Sequence, residues 1–278
     1  MSGEPAEFPA IAQRTVKRMR LESDASPELD AVAVEEPLEI RVAGDPLAIT
    51  MRTPGEDRFL AVGFLHAEGV VPSLAHVGTV AHCGRPGDEG FGHTIDVSPG
   101  PGCSLDTEAL DGARRGTLTT ASCGICGRRS IDDLLVRVGP LRDGRRVPRE
   151  LLLNAIDSLR AQQRAFTRTG GAHAAAALAI DGTCLAHAED VGRHNAVDKV
   201  VGRLLYDGKL EHAVVLAVSG RVSFEIVQKA AAARIPTIAA VSAPTSLAVD
   251  LACKAEITLA AFVREGGMNV YAGADRID

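Results

Sequence analysis

Two cysteines, Cys123 and Cys126, stand three residues apart between glycines, in the run SCGICG. Cysteines at this spacing either bind a metal ion as thiolates or act as a pair of reactive thiols. Two arginines follow, and a predicted helix begins at Ser130. Both a nearby guanidinium and a helix N-terminus stabilise a thiolate. The segment therefore predicts thiolate chemistry, whose form depends on the rest of the chain.

A zinc site is one alternative. A structural zinc ion needs four ligands, usually from two such pairs, and the other four cysteines stand singly. A zinc-dependent deaminase uses an HxE motif followed by PCxxC. His66-Ala67-Glu68 and His187-Ala188-Glu189 supply the first part, but Ser122 stands where the proline should be. A zinc-dependent, deaminase-like hydrolase stays open as an alternative.

Dithiol redox chemistry and sulfur carriage are two further uses of such thiols. A thioredoxin-like dithiol belongs to a compact βαβ unit, and the chain around Cys123 does not show that pattern. A sulfur carrier would accept sulfane sulfur from a donor persulfide by the attack that drives thiol–disulfide exchange. Residues 112–149 hold nine arginines and three acidic residues in a chain of net charge −6. Such a segment is typical of a solvated surface or of a docking site for an acidic partner or phosphates.

Two predicted strand-to-helix junctions carry small hydroxyl residues. Such residues most often only cap the helix that follows. Two junctions at the carboxyl ends of adjacent strands also form a phosphate cradle. The candidate anion-binding residues are Ser219, Arg221, Ser242 and Thr245. Residues 169–173, at a helix stop, and 192–195, at a helix start, are interpreted as local structure, although together the junctions favour an anionic ligand.

The apolar periodicity predicts an α/β fold. Strand-like alternation, helical stripes and turn residues place strands near 38–42, 47–51, 76–82, 93–97, 174–180, 184–188, 214–218, 237–241 and 257–263, and helices near 56–68, 151–167, 197–205, 224–233 and 247–253. Strands alternating with helices imply layers joined by right-handed crossovers. We expect a disordered or loosely attached tail over residues 1–30, a strand-rich portion over 31–150 that ends in the CxxC loop, and an α/β domain over 151–278.

Composition limits the class of protein. A chain of 278 residues that is 46% hydrophobic can bury a conventional core. Its acidic balance argues against a nucleic-acid-binding protein. No apolar run approaches the about 18 residues of a membrane helix, and no apolar segment follows the basic N-terminus as in a secretory signal. Six cysteines in such a chain indicate reduced thiols, and hence the cytoplasm.

Several long motifs resemble the formate dehydrogenase accessory sulfurtransferases, the FdhD family. They are Cys123–Cys126, Thr169–Leu178, Glu189–Gly202, Ser219–Ala230, Ile235–Ala252 and Phe262–Gly273. The motifs are collinear, cover residues 123–273 densely and are far more specific than a lone CxxC. Residues 31–122 are consistent with the family, and residues 1–30 are not covered.

The resemblance implies a function. Members of this family take sulfur as a persulfide from a cysteine desulfurase and pass it to the molybdenum or tungsten bis(molybdopterin guanine dinucleotide) cofactor, which then enters formate dehydrogenase. Cys123 matches the persulfide-bearing position, with Cys126 as its partner. The stretch that the family assigns to the cofactor corresponds to Phe262, Val263, Arg264, Glu265, Gly266 and Gly267.

The resemblance also implies a cytidine-deaminase-like, layered α/β body, a homodimer with two equivalent sites, and no permanently bound metal. A cofactor-binding chaperone without sulfur chemistry is the non-enzymatic alternative. Such a chaperone would tolerate the loss of both cysteines, whereas a sulfurtransferase would not.

Overall fold

A computed structural model of the chain describes residues 10–19, 27–105, 139–264 and 266–278. The strands are β1 (Ile11–Lys17), β2 (Pro27–Ala33), β3 (Glu36–Val42), β4 (Asp45–Arg52), β5 (Val77–His82), β6 (Thr94–Pro99), β7 (His173–Leu178), β8 (Cys184–Asp190), β9 (Val215–Val218), β10 (Thr237–Ala240), β11 (Thr258–Arg264) and β12 (Gly267–Ala272). The helices are α1 (Asp57–Glu68), α2 (Arg149–Gln162), α3 (Arg164–Thr169), α4 (Arg193–Tyr206), α5 (Phe224–Ala232) and α6 (Ser246–Lys254). The predicted α/β class is confirmed, while the cytidine-deaminase-like layering stays a prediction.

The first two strands form an antiparallel hairpin, paired from Ile11↔Ala33 to Lys17↔Pro27. The composition of residues 1–30 predicts a disordered or loosely attached tail, and the structure forms β1 and the start of β2 within that range. The hairpin shows little apolar periodicity in the sequence because it buries little side-chain surface: Leu29 is 74% exposed. Ladder hydrogen bonds and the packing of β2 beside α3 hold it instead. The boundaries at residues 30 and 150 stay predictions.

Strands β3 to β6 form a four-stranded sheet in the order β4-β3-β6-β5, with α1 packed against it. The β3–β4 hairpin turns at Ala43-Gly44, whose φ angles of 51° and 89° match the twist of the flanking strands. The gap between the strands predicted near 38–42 and 47–51 is therefore shorter in the structure, where β4 begins at Asp45. Leu38, Ile40 and Leu65 lie in the core between the sheet and α1.

The second, larger sheet has the order β12-β11-β10-β9-β7-β8. Strands β9, β10 and β11 are parallel, and β7, β8 and β12 run antiparallel to their neighbours. Helix α2 covers one face, and helices α4, α5 and α6 share a core with the other. The predicted helix over 151–167 is divided into α2 and α3, because Gln163 leaves the helical region with ψ 72°.

Helices α1 and α4 cross at two glycines and so join the two sheets. A Cβ atom on Gly63 would overlap the Asp198 carbonyl oxygen, and one on Gly202 would overlap the Phe59 carbonyl oxygen. Only glycine lets two helix main chains approach this closely. The crossing therefore fixes the four-stranded sheet against the six-stranded one.

A buried polar network lies beside this crossing. The Lys199 Nζ atom is 2.8 Å from Asp190 Oδ2 and donates to the Thr53 carbonyl at 2.9 Å. The Asn195 amide donates to Asp190 Oδ1 at 3.0 Å and to the Met51 carbonyl at 2.7 Å. Since Lys199 and Asp190 are almost fully buried, these bonds offset the cost of removing both charges from water. Part of the Glu189–Gly202 motif therefore serves the fold.

A second buried pair joins α4 to α5. Lys229 Nζ donates to the two Asp198 oxygens at 2.7 and 2.9 Å. Burial raises the pKa of Asp198 to about 6, and the Lys229 charge opposes that rise. The carboxylate is thus held in a costly environment by one ammonium group.

We expect Asp198→Asn to lower the free energy of unfolding by about 3–5 kcal/mol at neutral pH, because the buried Lys229 ammonium loses its paired carboxylate. Urea denaturation followed by circular dichroism measures the change. Asp250→Asn, at an exposed aspartate on α6, is the matched control. Equal stability of the two variants would show that the pair contributes nothing.

Candidate functional site

Part of the predicted site lies outside the described residues. Cys123, Cys126 and Glu265 are among these, with the arginines after the CxxC motif and the helix predicted from Ser130. The other predicted site residues lie at one edge of the six-stranded sheet. The part of the predicted site that the structure describes is therefore this sheet edge.

The carboxyl ends of β9, β10 and β11 meet at this edge because the three strands are parallel. The Val222 N–H donates to the Ala243 carbonyl at 3.0 Å, and the Thr245 N–H donates back to the Val222 carbonyl at 2.9 Å. The Phe262 N–H donates to the Ser242 carbonyl at 3.4 Å. The fold thus brings the two predicted junctions next to the stretch that the resemblance assigns to the cofactor.

Two of the predicted hydroxyl groups serve local structure. The Ser219 Oγ atom accepts a hydrogen bond from the Ala174 N–H at 2.9 Å, which ties β9 to β7. The Thr245 Oγ1 atom accepts one from the Ala248 N–H at 3.4 Å and caps α6. Arg221, by contrast, is exposed. Anion binding by Ser219, Ser242 and Thr245 stays a prediction.

Two further polar residues surround Gly220. A Cβ atom on Gly220 would lie 3.3 Å from both His173 Nδ1 and Arg193 Cδ, so the glycine leaves room for them. The Arg193 Nε atom is buried and has no hydrogen-bond partner in the described part of the chain. Burial, and then the Arg221 charge, lower the pKa of Arg193. Burial, and then the Arg193 charge, lower the pKa of His173, which favours its neutral ring.

Arg193 and His173 are site residues that the sequence patterns present only as parts of a helix start and a helix stop. His173 begins β7, which runs antiparallel to β9, so its position adjoins the carboxyl end of β9. Asp181-Gly182, between the strands predicted near 174–180 and 184–188, is a hairpin signal. It could have located His173 only together with the strand order. Two arginines and an unpaired guanidinium donor make this junction suited to an anion.

The neighbouring histidine, His194, contacts two polar side chains at the start of α5. The His194 Nε2 atom lies 2.9 Å from Ser223 Oγ and 3.1 Å from Glu225 Oε2. A Ser–His–acid triad needs the serine and the carboxylate on different ring nitrogens. Here Ser223 and Glu225 both contact the same ring nitrogen of His194, and these contacts position the start of α4.

Two clefts open on either side of the β10 end. The α3 cleft has a volume of about 610 Å³, and its lining includes Arg160, Gln163, Phe166, His173, Ser219 and Val241. The β11–β12 cleft, of about 600 Å³, is lined by Phe262, Arg264, Gly266, Gly267, Met268 and Asn269. Val241 borders the first cleft, and the next residue, Ser242, is bonded to Phe262 of the second. The two clefts are thus neighbours.

Among the described residues, the histidines and glutamates of the deaminase-like fragments do not come together as a metal site. His66 Nδ1 lies 2.9 Å from the Val71 carbonyl oxygen, and the Glu189 carboxylate accepts two N–H groups of α3. No group of three or more His, Cys, Asp or Glu side chains that could hold a metal ion occurs within the described ranges. None of the helices described there is long and apolar enough to cross a membrane.

Fold and site together define a mixed α/β protein whose largest sheet carries a cationic, two-cleft edge. The sequence profile of the FdhD/NarQ family matches residues 33–278 of the chain. The chain belongs to the FdhD/NarQ family.

Relatives with high identity span nearly the whole chain, and three proteins named sulfur carrier protein FdhD are among them. That of Anaeromyxobacter dehalogenans is 53% identical over 275 residues, 96% of this chain and 94% of its own length. The relatives from Streptomyces coelicolor and Mycobacterium tuberculosis are each 48% identical, covering 95% and 96% of this chain and 95% and 99% of their own. A crystal structure from Desulfotalea psychrophila, solved as a candidate formate dehydrogenase accessory protein, shares the fold. It has a TM-score of 0.76 and 22% identity, and covers 97% of this chain and 100% of that one.

Proposed function

We propose that this chain is a sulfur carrier protein that acts as a sulfurtransferase. It accepts persulfide sulfur from a cysteine desulfurase on Cys123 and transfers it to the molybdenum, or tungsten, bis(molybdopterin guanine dinucleotide) cofactor before the cofactor enters formate dehydrogenase. The observation that carries this proposal is the family membership, with relatives named as sulfur carriers at 53% identity over 96% of the chain. We place the reaction in the cytoplasm, on a homodimer.

The first step transfers one sulfur atom from a donor persulfide to the Cys123 thiolate. The Cys123 thiolate attacks the terminal sulfur of the donor persulfide, and the donor's S–S bond breaks. The donor cysteine leaves as a thiolate, and Cys123 now carries the added sulfur as its own persulfide. No oxidant or reductant is consumed. Cys126 is the partner thiol, and the arginine-rich residues 112–149 are suited to an acidic partner surface.

The sheet edge supports the choice of acceptor. Arg193 and Arg221 place two guanidinium groups around Gly220, and guanidinium matches the geometry of phosphate oxygens. The β11–β12 cleft is lined by residues of the cofactor stretch, among them Phe262, Arg264 and Gly267. A guanine dinucleotide offers a pyrophosphate for the guanidinium groups around Gly220 and further groups for the β11–β12 cleft. The acceptor is a substrate of the protein in this proposal, not a resident cofactor.

The guanidinium groups give a direct test. We expect Arg193→Gln and Arg221→Gln each to weaken the binding of guanosine diphosphate about tenfold or more, since a hydrogen bond to a charged group contributes about 1.5–3 kcal/mol. Isothermal titration calorimetry measures the affinity. Arg85→Gln, at an exposed arginine of the β5–β6 loop, is the control. Unchanged affinity in both site variants would remove the sheet edge as the phosphate site.

A further inference from the structure

The break between α2 and α3 directs two side chains into the α3 cleft. Gln163, at the break, is only 7% exposed and lines the cleft, and its carboxamide forms no hydrogen bond with another described residue. Phe166, three residues later, lines the same cleft and is 46% exposed. A carboxamide at a cleft wall that no described residue engages can pair with a ligand in the cleft.

The main chain that carries both side chains is held in place before any ligand arrives. The Glu189 carboxylate on β8 accepts the Ala165 N–H at 2.8 Å and the Phe166 N–H at 2.9 Å, which fixes the start of α3. The Thr167 hydroxyl donates to the Gln163 carbonyl at 2.6 Å. Such preorganisation reduces the entropy that binding costs.

The chemistry of the cleft matches a particular kind of ligand. An aromatic ring at the wall stacks on a planar ring, and a carboxamide pairs with a donor and an acceptor that lie side by side. Guanine and the pterin ring both present such an edge. A volume of about 610 Å³ is within the range of small-molecule sites. His173 and Ser219 also line the cleft, so a phosphate attached to the ring would reach the guanidinium groups around Gly220.

The geometry points to the α3 cleft as a binding site for a planar nitrogen heterocycle, stacked on Phe166 and hydrogen-bonded by Gln163. The inference deepens the proposed function, on which it rests for the identity of the ligand: the heterocycle is the guanine or the pterin of the acceptor. The site is distinct from the β11–β12 cleft, on the other side of the β10 end. One protomer therefore has two subsites for a ligand larger than a mononucleotide.

Binding of separate fragments tests this site. We expect wild-type protein to bind guanosine 5′-monophosphate in calorimetry, or a free pterin in a fluorescence titration, where the absence of tryptophan keeps the protein background low. Phe166→Ala should weaken that binding roughly tenfold or more. Gln163→Leu should reduce guanosine monophosphate binding to that of purine riboside 5′-monophosphate, which lacks the exocyclic donor. Tyr271→Ala, at an exposed tyrosine on β12, should change nothing.

The outcomes separate this inference from the proposed function. Binding of guanosine monophosphate alone, or of the pterin alone, lost in both variants, assigns that ring to the cleft. Binding of neither ring, or binding unaffected by Phe166→Ala and Gln163→Leu, overturns the inference. Sulfur loading on Cys123 is measured by mass spectrometry on the same samples. A protein that loads sulfur but fails the binding test keeps its proposed function, and one that passes the binding test but loads no sulfur loses it.

Discussion

A Cys123→Ala variant is expected to take up no sulfur from a cysteine desulfurase supplied with cysteine. Wild-type protein should gain the mass of one sulfur atom on the Cys123 peptide, and a reductant should remove it. The reason is chemical: only a thiolate can attack the donor persulfide, and alanine has none. Intact-protein and peptide mass spectrometry measure the adduct. Cells that carry only this variant should lose formate dehydrogenase activity.

Two other cysteine variants control this experiment. Cys253→Ala removes an exposed cysteine on α6 and should load sulfur normally. Cys126→Ala should impair transfer to a smaller and more variable extent. Full formate dehydrogenase activity in cells that carry Cys123→Ala would contradict the sulfur carrier and favour the cofactor-binding chaperone. Bound zinc with no sulfur adduct would favour the deaminase-like hydrolase.

A Gly202→Ala variant is expected to lose about 3 kcal/mol or more of its free energy of unfolding, the upper end of the usual cost of overpacking. The added methyl group would overlap the Phe59 carbonyl oxygen of α1. Because the obstructing atoms belong to a helix main chain, no side-chain rotation can relieve the overlap. The two helices must separate instead, and the four-stranded sheet would move with α1.

Thermal and urea denaturation measure this loss. Gly144→Ala is the matched control, since a Cβ atom there meets no atom within 4 Å and the residue does not have a positive φ. It should leave the midpoint unchanged or raise it slightly. If Gly202→Ala were as stable as Gly144→Ala, the close crossing of α1 and α4 would be refuted.

Local patterns were sufficient to predict much of the fold. The stripe from Val197 to Leu205 predicted α4, and Asp181-Gly182 predicted the β7–β8 hairpin, because each signal lies within a few consecutive residues. The alternation of predicted strands and helices also indicated which residues lie at the carboxyl ends of β9 and β10. Their convergence at one edge needed only that the strands be parallel neighbours, as they are.

Features that depend on distant residues were not predictable in this way. The break at Gln163 has no glycine or proline to signal it, and the Glu189 carboxylate that fixes α3 comes from another strand. Arg193 and His173 meet at Gly220 only because β7 inserts beside β9. Hairpin β1–β2 lacks a buried face, so periodicity could not identify it. In each case the determining contact is tertiary.

The Lys199 ammonium of α4 takes one of its acceptors, the Thr53 carbonyl, from the chain just after β4. A hybrid gene that joined residues 1–150 of one family member to the C-terminal part of another would have to preserve this contact and the glycine crossing together. If the exchange displaced Thr53, the buried Lys199 ammonium would lose one of its hydrogen-bond acceptors. The two parts of the chain are therefore expected to be inherited as one unit, and useful chimeras should exchange surface loops instead.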